Sequence, residues 1–149
     1  MLLAEDNPAD ADLILASLTK DGFAGAIQVV RDGVETLDFA LCRGKYADRD
    51  PRLCLRVIVL DVKLPKIDGF EVLRELKSDP RTRSIPVVML TSSNIDADVA
   101  RAYHLGASSY VQKPVDFERF RRTVRDIGVY WMTVNEAAPE WSIPADCSK

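Results

Sequence analysis

The sequence predicts an α/β fold built on a doubly wound, five-stranded parallel sheet. Three observations predict it. Five short apolar runs alternate strictly with five amphipathic stretches up to residue 130. The inner runs, Val57-Ile58-Val59-Leu60 and Pro86-Val87-Val88-Met89-Leu90, are continuously apolar, as strands buried on both faces are. Most of the amphipathic stretches open on a capping residue and close on Gly or Pro. Strict βα alternation requires right-handed crossovers, which lay helices on both faces of the sheet.

The elements follow in order. Leu2-Leu3-Ala4 is the first strand. Asn7 offers a helix N-cap with Pro8 at the first helical position. Ala11, Ile14, Leu15 and Leu18 recur at helical spacing, and Gly22 stops that helix. Residues 26–30 form the second strand. Asp32, with Glu35 three residues on, caps a second helix whose apolar stripe is Val34, Leu37 and Leu41. Residues 44–55, including Pro51, form a polar loop that is long for such a connection. Residues 56–60 form the third strand. Asp68 and Glu71 open a third helix through Val72, Leu73 and Leu76, which ends before Pro80. Residues 86–90 form the fourth strand. Ser93 with Asp96 opens a short helix ending at Gly106. Residues 108–111 form the fifth strand. Asp116 caps a last helix carrying Phe117, Phe120, Val124 and Ile127 on one face, a stripe that continues into Trp131.

Composition narrows the function. A chain of 149 residues, 47% hydrophobic and 29% charged, buries about two thirds of its extended surface on folding. Neither a disulfide framework nor a structural metal is needed. Cys42, Cys54 and Cys147, with His104 the single histidine, exclude a zinc site and read as reduced thiols. No apolar run is long enough to span a bilayer, and the chain as given opens without a secretory leader, so the expected compartment is the cytoplasm. Twenty Lys and Arg against 23 Asp and Glu give no support to nucleic-acid binding. The cluster Arg119, Arg121, Arg122 and Arg125 reads as a solvated helix face.

The chemistry collects at the carboxyl ends of the strands. Strand one ends in Glu5-Asp6, strand three in Asp61, strand four in Thr91-Ser92 and strand five in Lys113-Pro114. In a parallel sheet these ends share one edge, where such folds bind ligands. Three carboxylates in one shallow site repel each other unless a cation is present. A hard divalent ion, Mg²⁺ above all, suits a set of carboxylates and water. A hydroxyl and an ammonium opposite the acids suit an oxyanion held by the same ion, a phosphoryl group.

The residues also spell a pattern. Leu2-Leu3-Ala4-Glu5-Asp6-Asn7, Val57-Ile58-Val59-Leu60-Asp61-Val62-Lys63-Leu64-Pro65, Asp68-Gly69, Pro86-Val87-Val88-Met89-Leu90-Thr91-Ser92 and Gly106-Ala107…Tyr110-Val111-Gln112-Lys113-Pro114 resemble the receiver domain of two-component response regulators. The loop Asp50-Pro51-Arg52, the segment Lys63-Leu64-Pro65-Lys66 and the aromatic tail from Tyr130 to Val134 look like the small stand-alone regulators paired with phytochrome histidine kinases. The resemblance implies strand order 2-1-3-4-5, a receiver over residues 1–130 and an aromatic tail over 131–149 with no output domain. It implies that Asp61 takes a phosphoryl group from a histidine kinase. Asp6 and Asp61 would bind Mg²⁺ directly, Glu5 through water, with the Lys63 backbone carbonyl as a further ligand. Thr91, the Ser92 N–H and Lys113 would hold phosphoryl oxygens. A cis Lys113–Pro114 bond would aim the lysine, and Tyr110 would be the switch aromatic. The chain would not be an enzyme beyond its own phosphotransfer and slow autodephosphorylation.

Two other readings compete with this one. A dehalogenase-type phosphatase needs a second Asp two positions after the nucleophile, and that position is Lys63. A phosphate-independent pseudo-receiver would lack Asp61, Thr91 or Lys113, and all three are present. The tail is expected to present an apolar patch including Trp131 and Met132, on which a homodimer forms through the last helix; the alternative is that Trp131 folds back onto its own domain.

Overall fold

The computed structural model describes residues 1–23, 27–50 and 55–139. The start of the second predicted strand at Ala26, part of the long polar loop, Cys54 and the end of the tail lie outside those residues.

The caps read from the sequence set the helices. In α1 (Pro8–Lys20), Asn7 Oδ1 accepts from the N–H groups of Ala9 and Asp10 at 2.9 and 3.1 Å. Asp32 caps α2 (Gly33–Ala40), Asp68 caps α3 (Gly69–Ser78) and Asp116 caps α5 (Phe117–Val129), each accepting an N–H three residues on at 2.8 to 3.0 Å. Each such bond satisfies a first-turn N–H that has no partner within its helix, an effect worth about 1 kcal/mol. The fourth helix departs from expectation. α4 (Asp96–His104) starts from Ile95 with no side-chain cap. Ser93 lies too early to cap it, and its Oγ instead donates to Asp98 Oδ2 at 2.6 Å. Gly22 and Gly106 adopt positive φ, 88° and 98°, as glycines ending helices do.

The strands are β1 (Leu2–Ala4), β2 (Gln28–Val30), β3 (Ile58–Leu60), β4 (Val87–Thr91) and β5 (Ser109–Gln112), all parallel, in the order β2-β1-β3-β4-β5. β1 spans the predicted residues, β2 and β3 begin later than predicted, and β4 and β5 are shifted one residue toward the carboxyl end. A short 3₁₀ turn (Gly44–Tyr46) lies within the predicted polar loop.

Alternation along the strands divides the core in two. Leu3, Val57, Val59, Val88 and Leu90 face α1 and α5, where Ile14, Leu18, Phe120, Val124 and Ile127 meet them. Leu2, Ala4, Ile58, Leu60, Val87 and Met89 face the other helices, with Leu37, Val72, Leu73, Leu76 and Ala102. Each fully buried aliphatic side chain contributes roughly 1.5–3 kcal/mol. Two stripe positions are corrected. Phe117 and Val34 are both exposed, each in the first turn of its helix, α5 and α2.

The tail also departs from expectation. α5 runs into a turn of π-helix (Tyr130–Val134), closed by the Asn135 N–H donating to the Tyr130 carbonyl at 2.7 Å. Trp131 and Met132 are not an uncovered patch. They are half-buried against the α1–α5 side of the core, and Arg56 Nη1 donates to the Met132 carbonyl at 2.7 Å. The apolar side chains left in solvent here are Val129, Tyr130 and Val134. Among the described residues, no helix is long and apolar enough to cross a membrane.

Candidate functional site

All five strands run the same way, so their carboxyl ends form one edge. Sheet order reverses between β1 and β3, and the crevice at that point is where the acids converge. Glu5 and Asp6 follow β1, and Asp61 follows β3. One carboxylate oxygen from each lies within 4.8 Å of the others. Glu5 and Asp61 are buried, while Asp6 is exposed at the mouth. The donors are hard oxygens, few enough to leave room for water, and that set fits Mg²⁺.

Lys113, at the end of β5, reaches back across the edge into this cluster. Its Nζ donates to Glu5 Oε2 at 2.6 Å, Asp61 Oδ2 at 2.8 Å and Asp10 Oδ2 at 3.0 Å. Burial opposes charge on the ammonium, but its bonds to Asp61 and Glu5 outweigh that and hold its pKa above the ordinary lysine value. Glu5 goes the other way from a free carboxylate. Burial raises its pKa, and neither the Lys113 bond nor the Asn7 N–H that it accepts at 3.0 Å fully offsets this. The Lys113–Pro114 peptide is trans, as are all described peptide bonds, so the expected cis geometry is not found. The lysine is aimed instead by its three carboxylate partners.

Thr91 ends β4, 1% exposed, on the same edge. Its Oγ1 accepts from the Ser93 N–H at 3.3 Å. Ser92 is exposed beside it. Tyr110 is half-buried on the α2–α3–α4 side of the core, and its hydroxyl donates to the Ser93 carbonyl at 3.1 Å. Lys63 is exposed at the rim, and its N–H donates to Asp61 Oδ1 at 3.3 Å. The site residues singled out from sequence therefore share one edge of the molecule.

Two residues were missed. Asp10 joins the site from the first turn of α1. Its signal was available, since the helix that follows β1 begins at the site edge and its third residue overhangs it. Ser93 ties Thr91, Tyr110 and, through Asp98, α4 together, and no spacing rule marks such a junction.

A family model for the response regulator receiver domain matches residues 1–125. The chain belongs to that family. Among relatives, this receiver is 42% identical over 137 residues to the "Probable methanogenesis regulatory protein FilR2" of Methanothrix harundinacea, covering 92% of this chain and 86% of FilR2. It is 36% identical over 132 residues to the response regulator Rcp1 of Synechocystis, covering 89% and 88% of the two chains. A solved structure of Rcp1 in an Mn²⁺-bound form superposes with a TM-score of 0.83, at 31% identity over 93% and 97% of the chains. The phosphorylated cyanobacterial phytochrome response regulator RcpA superposes with a TM-score of 0.86, at 34% identity, covering 93% of this receiver and 96% of RcpA. A receiver is a regulator rather than a conventional enzyme, and membership in two-component signalling implies a histidine kinase as partner.

Proposed function

We propose that this receiver takes a phosphoryl group from a histidine kinase onto Asp61 and signals by protein–protein contact. The observation that carries the reading is the convergence of Glu5, Asp6, Asp61 and Lys113, drawn from three strand ends, with Thr91 on a fourth. Asp61 Oδ attacks the phosphorus of the kinase phosphohistidine; an O–P bond forms as the N–P bond breaks, and the imidazole leaves. Asp6 and Asp61 directly, Glu5 through water and the Lys63 carbonyl would hold Mg²⁺. The bound ion supplies positive charge against the crowded carboxylates and the incoming phosphoryl oxygens.

The chain's own groups do the rest. Lys113 carries a fixed positive charge to a phosphoryl oxygen, Thr91 Oγ1 and the Ser92 N–H donate to others, and Tyr110 responds as Thr91 moves. Hydrolysis of the aspartyl phosphate is slow. The functional unit is residues 1–130, with 131–149 an aromatic tail, and it works in the cytoplasm. RcpA is a phytochrome response regulator, which supports a phytochrome-type kinase as phosphodonor. Exposed Val129, Tyr130 and Val134 support a homodimer through the last helix and tail. Sedimentation as a monomer at micromolar concentration, with and without beryllofluoride, removes the dimer.

Intact-mass spectrometry after incubation with Mg²⁺ and acetyl phosphate tests the main reading. One phosphate adduct is expected on the wild type, none on Asp61→Asn and none in EDTA. Labelling that survives EDTA, or that proceeds at the wild-type rate in Asp61→Ala, overturns it.

A further inference from the structure

Lys113 is tied to more than the phosphoacceptor cluster. An ammonium has three N–H bonds and no acceptor. Here all three go to carboxylates: Glu5, Asp61 and Asp10. Glu5 and Asp61 belong to the cluster that suits a cation, whereas Asp10 is outside it. Asp10 comes from the first turn of α1, where its own N–H is held by Asn7 Oδ1 at 3.1 Å, so the carboxylate is presented from a capped, fixed backbone. A negative group there is also favoured by the helix N-terminus.

This arrangement poses a problem for phosphorylation. A lysine with every N–H spent cannot meet a phosphoryl oxygen without giving one up. The bond to Asp61 lies where the phosphoryl group is attached, and the bond to Glu5 competes with a cation. The Asp10 bond alone does not conflict with either event. We propose that Asp10 is a positioning residue: it anchors Lys113 to α1 while the ammonium transfers an N–H from Asp61 to the phosphoryl group. This rests on the phosphoacceptor reading above. Without Asp10 the ammonium keeps only its two cluster partners and is drawn more deeply between them, away from the mouth where a phosphoryl oxygen arrives.

The alternative is that Asp10 acts only as one more negative charge near the site. A double-mutant cycle separates the two, because a charge acts with or without the lysine and an anchor does not. Beryllofluoride affinity at saturating Mg²⁺ is measured on the full chain for wild type, Asp10→Asn, Lys113→Met and the double variant, with Lys113→Gln as a second lysine-free background. Asp10→Asn is expected to weaken beryllofluoride binding about five- to tenfold in the wild type, less than a whole charge-assisted hydrogen bond because the Asp10 bond is present before and after the ion binds. In either lysine-free background it is expected to change affinity less than twofold. A protected Lys113 ammonium resonance in the wild type is expected to be lost in Asp10→Asn. The inference is overturned if Asp10→Asn binds beryllofluoride within twofold of wild type or more tightly, or if it changes affinity by the same factor with and without the lysine. A wild type that binds no beryllofluoride and takes no phosphate overturns the phosphoacceptor reading instead.

Discussion

The carbonyl oxygen of Asp61 lies so close to Gly69 that a β-carbon there would collide with it, and Val62 Cα would be only 2.8 Å from that carbon. The first residue of α3 thus packs directly on the backbone that carries the phosphoacceptor, and the Gly69 N–H donates to the Val62 carbonyl at 2.7 Å. Only a residue without a side chain permits that approach. Gly69→Ala must push α3 and the β3 terminus apart. The expected cost is about 1–3 kcal/mol of stability, typical of overpacking a rigid site. Phosphorylation should slow as well, because Asp61 moves relative to Lys113. Thermal melting and acetyl phosphate labelling check both, and a variant that melts and labels like the wild type contradicts the packing argument.

Glu5 predicts a pH dependence. Its folded pKa is raised by burial, so the protonated form favours the metal-free fold. The sign follows: that contribution is complete below the unfolded value of 4.5 and is lost as pH rises through the higher folded value. Metal-free protein should therefore lose stability as pH rises across that window, and Glu5→Gln should not. At neutral pH without metal, Glu5→Gln is expected to melt above the wild type. Added Mg²⁺ should reverse the order, since binding stabilises only a chain that holds the ion well. Melting curves in EDTA and in Mg²⁺, from pH 4 upward, provide the check.

Lys63 stands at the rim beside Asp61, and its long side chain can occupy the line along which water would reach the phosphorus. Lys63→Ala is expected to shorten the life of the aspartyl phosphate about two- to fivefold, the modest effect of admitting water to a partly closed site. Decay of labelled protein after removal of the phosphodonor measures it. A decay equal to or slower than wild type removes this role.

Arg56 joins the far end of β3 to the tail through the Met132 carbonyl. Arg56→Ala removes one charge-assisted bond, a loss of about 1 kcal/mol. Amide exchange over residues 130–135 should then accelerate by roughly tenfold at most. Exchange in β1, β3 and β4 should not change. Uniform acceleration through the sheet would mean that the tail is part of the global fold rather than a separately opening segment.

The sequence by itself determined the order of elements, four of five helix caps, most of the buried positions and the strand ends at which the site residues lie. These were legible because each rests on a local rule. Strand residues alternate between faces, cap side chains reach N–H groups two or three residues away, and βα alternation permits one handedness. Parallel strands then bring Asp6, Asp61, Thr91 and Lys113 to one edge without any knowledge of distance. The tertiary structure decided what depends on distance between elements far apart in the chain. Lys113 meets Asp10 across 103 positions, and Arg56 meets Met132 across 76. The same holds for the trans Lys113–Pro114 bond, the exposure of Phe117 and the burial of Trp131. Periodicity states which way a side chain leaves its own element, whereas what it touches depends on the width of the sheet and the seating of neighbouring helices, which are set by the packing of the whole core.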